Sequence, residues 1–404
     1  MTDPNKPNKD NKEPGIIPPQ RGKRSEQPAV NEPPAEDEIT PNMPVVGSDD
    51  GSHRPINPAR YVTLDFDSKG RLGGVEPVMN FEVYDMDSIH DFSMMNADTI
   101  IDTVANAVER CSETKMNISE VLVSDFTEIT RGIRVHFYDK MIKHRWFHSK
   151  CQNKYPEDER KQSTTDINAA TINTRTIEEA DAALQKWMAE RLKEMSPEQR
   201  KKYIEAKYPE DASDRTDAEL LADVKVTDNM AAMVPSRDGD GYDKVVFGYM
   251  RMGHWISGQH KAVIAYSEDL KALRRRLRPQ STPMSEWKAH LEWEASKLRR
   301  TRDKDTMVFA KALTIKSVNG KTLSDKEKIA YYRTMPSTAM DTLSGLMDLT
   351  HIGIDDERLL ECDLCGESER RSLHRQISPY DFLPTGNASG ISSERPAAPL
   401  VFFE

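Results

Sequence analysis

Among the side chains of this 404-residue sequence, its four cysteines and ten histidines are the best suited to hold a metal ion. Two of the cysteines stand in Cys362-Asp363-Leu364-Cys365, followed by Gly366. Thiols at that spacing form half of a zinc knuckle. The tight turn aims both sulfurs at one ion, and glycine accepts the positive φ that the turn requires. A second pair with the same spacing, His148-Ser149-Lys150-Cys151, could supply the remaining ligands. A tetrahedral site of His148, Cys151, Cys362 and Cys365 would place the thiols of Cys151 and Cys362 about 4 Å apart. It would leave only Cys111 without a role. With all four positions taken by protein, such a site would be structural, because no place remains for an activated water. Two other readings stay open: a redox-active Cys-x-x-Cys, and cysteines that bind nothing.

The other clusters point to less chemistry. His144 and His148 sit four apart in HRWFH, and if that run were a helix they would share a face, as metal ligands can. No His-Glu-x-x-His pattern accompanies them, so packed or solvated imidazoles are the better reading. The run Asp238-Gly239-Asp240-Gly241-Tyr242-Asp243 opens like a calcium loop. Tyr242 and Tyr249 stand where that loop needs an oxygen ligand and a glutamate, so a polar turn before a strand is expected. The basic run Arg274-Arg275-Arg276-Leu277-Arg278, with Arg299-Arg300, could meet phosphate. It lacks interleaved aromatics, and Glu268, Asp269, Glu292 and Glu294 lie nearby, which favours a solvated helix face or a patch for an acidic protein partner. No glycine-rich phosphate loop, nucleophile elbow or paired-carboxylate motif occurs, and the protein is not expected to be an enzyme.

A net charge of -10 argues against non-specific binding of nucleic acid or anionic membrane. No apolar run is long enough to cross a bilayer, and the polar start MTDPNKPNKD lacks the apolar core of a signal peptide. The protein is therefore expected to stay in the compartment where it is made. Charged residues make up 31% of the chain and the mean hydropathy is -0.72, so part of it should be unfolded or thin, solvated helix.

Five segments follow from the patterning. Residues 1–58 hold 12 of the 24 prolines and few apolar side chains, which predicts a disordered extension. Residues 59–155 form the N-terminal half of a core domain. YVTLDF and the run VMNFEVYDM within 75–86 alternate as strands. A helix capped by Asn96 or Asp98 runs to Cys111, and a second runs from Ser119 to Tyr138. Residues 156–304 read as a charged helical insertion that packs separately, with helix starts at Thr176, Ser196 and Thr216, a short strand KVVFGYM and a helix from Ser285 to Arg302. Residues 305–384 form the other half of the core, opening with MVFAKALTIKSVNGK as a strand that ends in an Asn319-Gly320 turn. A capping box at Ser324 and Glu327, a break at Pro336-Ser337 and a stop at Gly353 mark two helices before the cysteine pair. Residues 385–404 read as a flexible tail that ends in an apolar tip, Leu400 to Phe403, which suits a docking peptide or a strand tucked against its own domain. The expected fold is α+β and mainly helical, a discontinuous domain with small β elements, a knuckle and an insertion.

The order of these features resembles the baseplate hub assembly proteins of T-even-like contractile-tailed bacteriophages. VMNFEVYDMDSI and the helix pair to Tyr138 match the first part of that pattern. TIKSVNGK, the helices to Leu349, GIDDERLLECDLCG and SPYDFLP match the second. The resemblance covers roughly 75–151 and 305–384, and only CDLCG and the order of elements are specific. It implies a non-catalytic assembly factor that binds baseplate hub or other tail subunits in the host cytoplasm. A permanent subunit of the virion baseplate is the nearest alternative. A zinc-containing nucleic-acid-binding protein that uses Arg274–Arg278 is a further one.

Overall fold

The alternating runs YVTLD and VMNFE become an antiparallel pair, β1 (Tyr61–Asp65) and β2 (Val78–Glu82), with Val62 opposite Phe81 and Leu64 opposite Met79. The computed structural model describes residues 60–384 apart from 97–98, 153–161, 199, 202–203, 205–215, 238–240 and 278–283. The expected extension at 1–58, the tail at 385–404, the Asp98 cap, Arg278 and the start of the calcium-like run lie outside the described residues.

Helix α1 (Met86–Met94) begins where Asp85 accepts a hydrogen bond from the Ser88 N–H at 2.7 Å. Helix α2 (Ile100–Cys111) buries one stripe, Ile101, Val104, Ala105, Ala107, Val108 and Cys111. Helix α3 (Val123–Phe137) buries Phe126, Ile129 and Ile133. These faces close on Phe66, Phe81, Tyr84 and Phe92 in the first of four apolar cores among the described residues. The chain then forms β3 (Met141–Trp146), a short helix α4 (Ser149–Gln152), β4 (Ser163–Asn168) and β5 (Thr174–Arg175). Helices α5 (Ile177–Glu194) and α6 (Asp217–Ala222) each start at a complete capping box, Thr176 with Glu179 and Thr216 with Glu219. At Ser196 the carbonyl accepts from the Arg200 N–H at 2.9 Å, one helical turn on from the restart expected there.

Strands β6 (Met230–Pro235) and β7 (Tyr242–Phe247) lead to two long helices, α7 (Met252–Arg276) and α8 (Met284–Leu313), which pack along each other. Strands β8 (Ile315–Val318) and β9 (Lys321–Thr322) follow, joined by the predicted turn, where Asn319 and Gly320 take φ of 52° and 79°. Helix α9 (Asp325–Thr334) starts at the Ser324–Glu327 box, and α10 (Ser337–Leu349) starts after the Pro336 break. Strand β10 (Gly353–Ile354) and the hairpin of β11 (Glu357–Glu361) and β12 (Ser368–Ser372) complete the regular elements. The architecture is mainly helical with small antiparallel sheets, the largest ordered β6-β7-β8-β9. No described helix is long and apolar enough to cross a membrane.

Two expectations need correction. Residues 156–304 do not pack as a separate insertion. Within them β4 pairs with β3, β5 pairs with β10, and β6 and β7 share one sheet with β8 and β9. Met252 and Trp255 of α7 enter the first core beside Tyr380. Short strands leave unpaired backbone groups unless a neighbour supplies the ladder, and here the neighbours come from outside the segment. Second, MVFAKAL is helix, and the boundary drawn at 304/305 falls inside α8. Phe309, Ala310, Ala312 and Leu313 are buried at helical spacing, and the strand begins only at Ile315. The HRWFH histidines are packed, and they sit on a strand and just beyond it. Ile142, His144 and Trp146 alternate inward along β3, and His148 follows the strand's end.

Candidate metal centre

The second apolar core positions the centre. Ile142 and Trp146 of β3 and Ile167 of β4 pack with Leu360, Leu373, Ile377 and Phe382 from the C-terminal part of the chain. Pairing of β3 with β4 is tied down by the Trp146 indole N–H, which donates to Thr165 Oγ1 at 3.0 Å. The chain leaving β3 therefore delivers His148 and Cys151 to the turn that joins β11 to β12. That turn is narrow. The Gly366 N–H donates to the Cys362 carbonyl at 2.8 Å, Cys362 N–H donates to the Glu367 carbonyl at 2.9 Å, and Gly366 takes a φ of 71°. Two bonds tie the turn to β4: the Asp363 N–H donates to Ser163 Oγ at 3.0 Å, and the Thr164 N–H donates to Asp363 Oδ2 at 3.2 Å.

His148, Cys151, Cys362 and Cys365 converge, with their ligand atoms all within 4.8 Å of one another. Among the described residues this is the only such group of three or more His, Cys, Asp or Glu side chains. The thiols of Cys151 and Cys362 lie 3.9 Å apart, and His148 Nδ1 is 3.3 Å from the Cys151 sulfur and 3.2 Å from that of Cys365. Two sulfurs each about 2.3 Å from a tetrahedral ion would be separated by roughly 3.8 Å. His148, Cys151 and Cys362 are buried and Cys365 is exposed. Burial pushes the Cys151 thiol up to about 11, and its sulfur neighbours push it the same way. At Cys362 burial acts upward too, but the N–H groups of Leu364 and Cys365, together with the side chains of Cys365 and Ser163, outweigh it and hold the thiol below its usual range. Three thiolates this close repel one another, and a bound cation would remove that repulsion.

The ring of His148 presents Nδ1 to the sulfurs, while Nε2 faces Glu369 Oε2 at 3.7 Å. A carboxylate behind a ligating imidazole fixes its tautomer and orientation. Glu369 is held in turn by the N–H and hydroxyl of Ser149, at 3.0 and 3.1 Å, and by Arg371 at 3.0 Å. These contacts, Ser149 above all, hold the carboxylate below its usual range against the opposing effect of burial. The spacing of the four candidate ligands was readable in the sequence, but Glu369 was not singled out. Its only signal was an acid on the strand after the knuckle.

The other sequence candidates stay apart from the centre. His144 is buried and shares a hydrogen bond between its Nε2 and Gln376 Oε1 at 3.2 Å. Cys111 lies in the first core, and burial lifts its thiol to about 12. Arg274, Arg275 and Arg276 are exposed in the last turn of α7, where cations suit the helix dipole. Sequence reasoning also missed a group of buried and half-buried carboxyls beside α3. Asp125 accepts from the Ser68 hydroxyl at 2.9 Å, and Glu128 accepts from the Asp67 N–H at 3.2 Å. Burial lifts Asp125 to about 7 and Glu128 to about 8, and it raises Asp67 too. No protein-family model, curated protein or solved structure matches the chain.

Proposed function

We propose that His148, Cys151, Cys362 and Cys365 hold a structural zinc ion, and that the protein acts by binding other proteins, as an assembly factor of a phage baseplate hub. One observation carries the metal reading: three thiols and an imidazole nitrogen, held by separate parts of the chain, meet within 4.8 Å. That donor set suits zinc, whereas calcium and magnesium take oxygen ligands. Four protein ligands close the coordination sphere, so the ion would tie the chain together and activate no water. The tie would join the segment after β3 to the β11–β12 turn, 211 positions later.

The assembly reading is supported by the order of elements in the segments that resemble the hub assembly proteins. Strand β2 precedes the helices of the first core, and the Asn319-Gly320 turn precedes α9, α10, Gly353-Ile354-Asp355, the knuckle and the aromatic turn at Pro379–Phe382. The partners would be hub or other tail subunits met in the host cytoplasm. Two measurements test the reading. Metal analysis of the purified protein should find one zinc per chain. Affinity-tagged protein recovered from infected cells should carry tail subunits, identified by mass spectrometry. Recovery without any tail subunit would refute the assembly role, and metal-free protein would refute the zinc.

A further inference from the structure

Cys365 differs from the other ligands in its access to solvent. It is exposed, whereas His148, Cys151 and Cys362 are 2%, 6% and 0% exposed. Cys362 lies behind it in the same tight turn, with its sulfur inside the 4.8 Å cluster. We propose that hydroperoxides open this centre: they oxidise Cys365, a disulfide forms with Cys362, and the metal leaves. The inference rests on the zinc reading above.

The chemistry balances with the peroxide as oxidant. The Cys365 thiolate attacks one oxygen of hydrogen peroxide, the O–O bond breaks, hydroxide leaves and a sulfenic acid remains. The Cys362 thiolate attacks that sulfur, the S–S bond forms and a second hydroxide leaves. Two electrons pass from the thiolates to the peroxide, and solvent protons neutralise the hydroxides. Cys362 is the resolving thiol because it shares a short turn with Cys365, while Cys151 belongs to a different segment. Only His148 and Cys151 then remain as ligands, too few for a closed zinc site. A dithiol reverses the oxidation.

The structural effect is confined to the knuckle. Without the ion, the knuckle hairpin keeps two exposed polar contacts to the His148 segment, Lys150 to Glu367 at 2.5 Å and Ser149 to Glu369, beside the half-buried bond from Arg371 to the Phe147 carbonyl at 2.6 Å. Exposed contacts of this kind contribute little. Leu360 and Leu373 stay in the core and anchor the rest of the hairpin.

The test uses the full chain, reduced and purified, with its zinc measured first. Hydrogen peroxide is then added beside a chromogenic zinc chelator, and disulfides are mapped by peptide mass spectrometry. The expected result is complete loss of zinc with a Cys362–Cys365 disulfide, both reversed by dithiol and added zinc. A Cys111→Ala variant should behave identically, because Cys111 lies in another core. Zinc retained through excess peroxide would overturn this inference while leaving the zinc reading intact. Absence of zinc from the reduced protein would overturn both. Zinc release with a disulfide to Cys151 would overturn the pairing, since the two segments would then be joined rather than untied.

Discussion

Replacing Asp125 by asparagine measures what a buried carboxyl costs beside α3. Asp125 is fully buried, accepts one hydrogen bond from Ser68, and leaves Oδ1 without a partner. Burial lifts its pKa from 3.8 to about 7, against the lowering effect of the Ser68 hydroxyl. The folded protein therefore keeps this proton to near neutrality, while the unfolded chain gives it up at acid pH. A group raised in this way contributes stability that is fully present below the unfolded value and is lost as pH rises through the folded one. Across that interval the unfolded state binds fewer protons, so stability falls by about 1.4 kcal/mol per pH unit. Over roughly three pH units the total is on the order of 4 kcal/mol. Asparagine has nearly the same shape, stays neutral and can accept the same bond from Ser68. The stability of Asp125→Asn minus that of the native protein should therefore climb between about pH 4 and pH 7 and flatten above. Urea unfolding of both proteins across that range gives the difference directly. Taking the difference cancels His144, His254 and His351, which burial holds below their usual values. Glu128 does not cancel fully, because Asp125 contributes to its elevation, and its relaxation adds in the same direction. A difference that stays constant with pH would refute the argument.

Other outcomes can be checked alongside. Cys362→Ser should lose zinc and lower the midpoint of thermal unfolding; Cys151→Ser should do the same, and zinc retained in that variant would separate the two halves of the site. Glu369→Gln should weaken zinc binding by about 10- to 100-fold in a chelator competition, because the imidazole loses the carboxylate behind it. Gly258→Ala should destabilise by about 1–3 kcal/mol in urea unfolding, because α7 and α8 touch there. The added Cβ would lie 2.8 Å from both the Ala310 nitrogen and the Thr306 carbonyl oxygen.

What could be read from the sequence was local. The boxes at Thr176, Thr216 and Ser324 use residues three apart, so their geometry is fixed before any tertiary contact forms. The convergence of the four candidate metal ligands was legible for a different reason: thiols and imidazoles at ligand spacing are scarce in this chain, which leaves few ways to complete a tetrahedron. Long-range pairing was not legible. Nothing in Thr174-Arg175 announces Gly353-Ile354 as its partner, and nothing in β7 announces β8. MVFAKAL misled because a short apolar run carries too little periodicity to separate strand from buried helix. Asp125 gave no warning either, since an acid in the first turn of a helix is ordinarily a solvated partner of its dipole.

The turn at Pro379–Phe382 carries a consequence for how the protein is made. Tyr380 and Leu383 fill the core built by the first three helices, and the Leu383 carbonyl accepts from Arg134 at 2.6 Å, 249 positions earlier in the chain. A ribosome adding about 5–20 residues per second needs tens of seconds to travel that distance. During that time the earliest helices lack two of the side chains that close their apolar faces, and surface exposed in this way is prone to aggregation. A chain terminated before Pro379 never receives its plug, so truncated products should be less stable than the full-length protein and more easily cleaved by proteases.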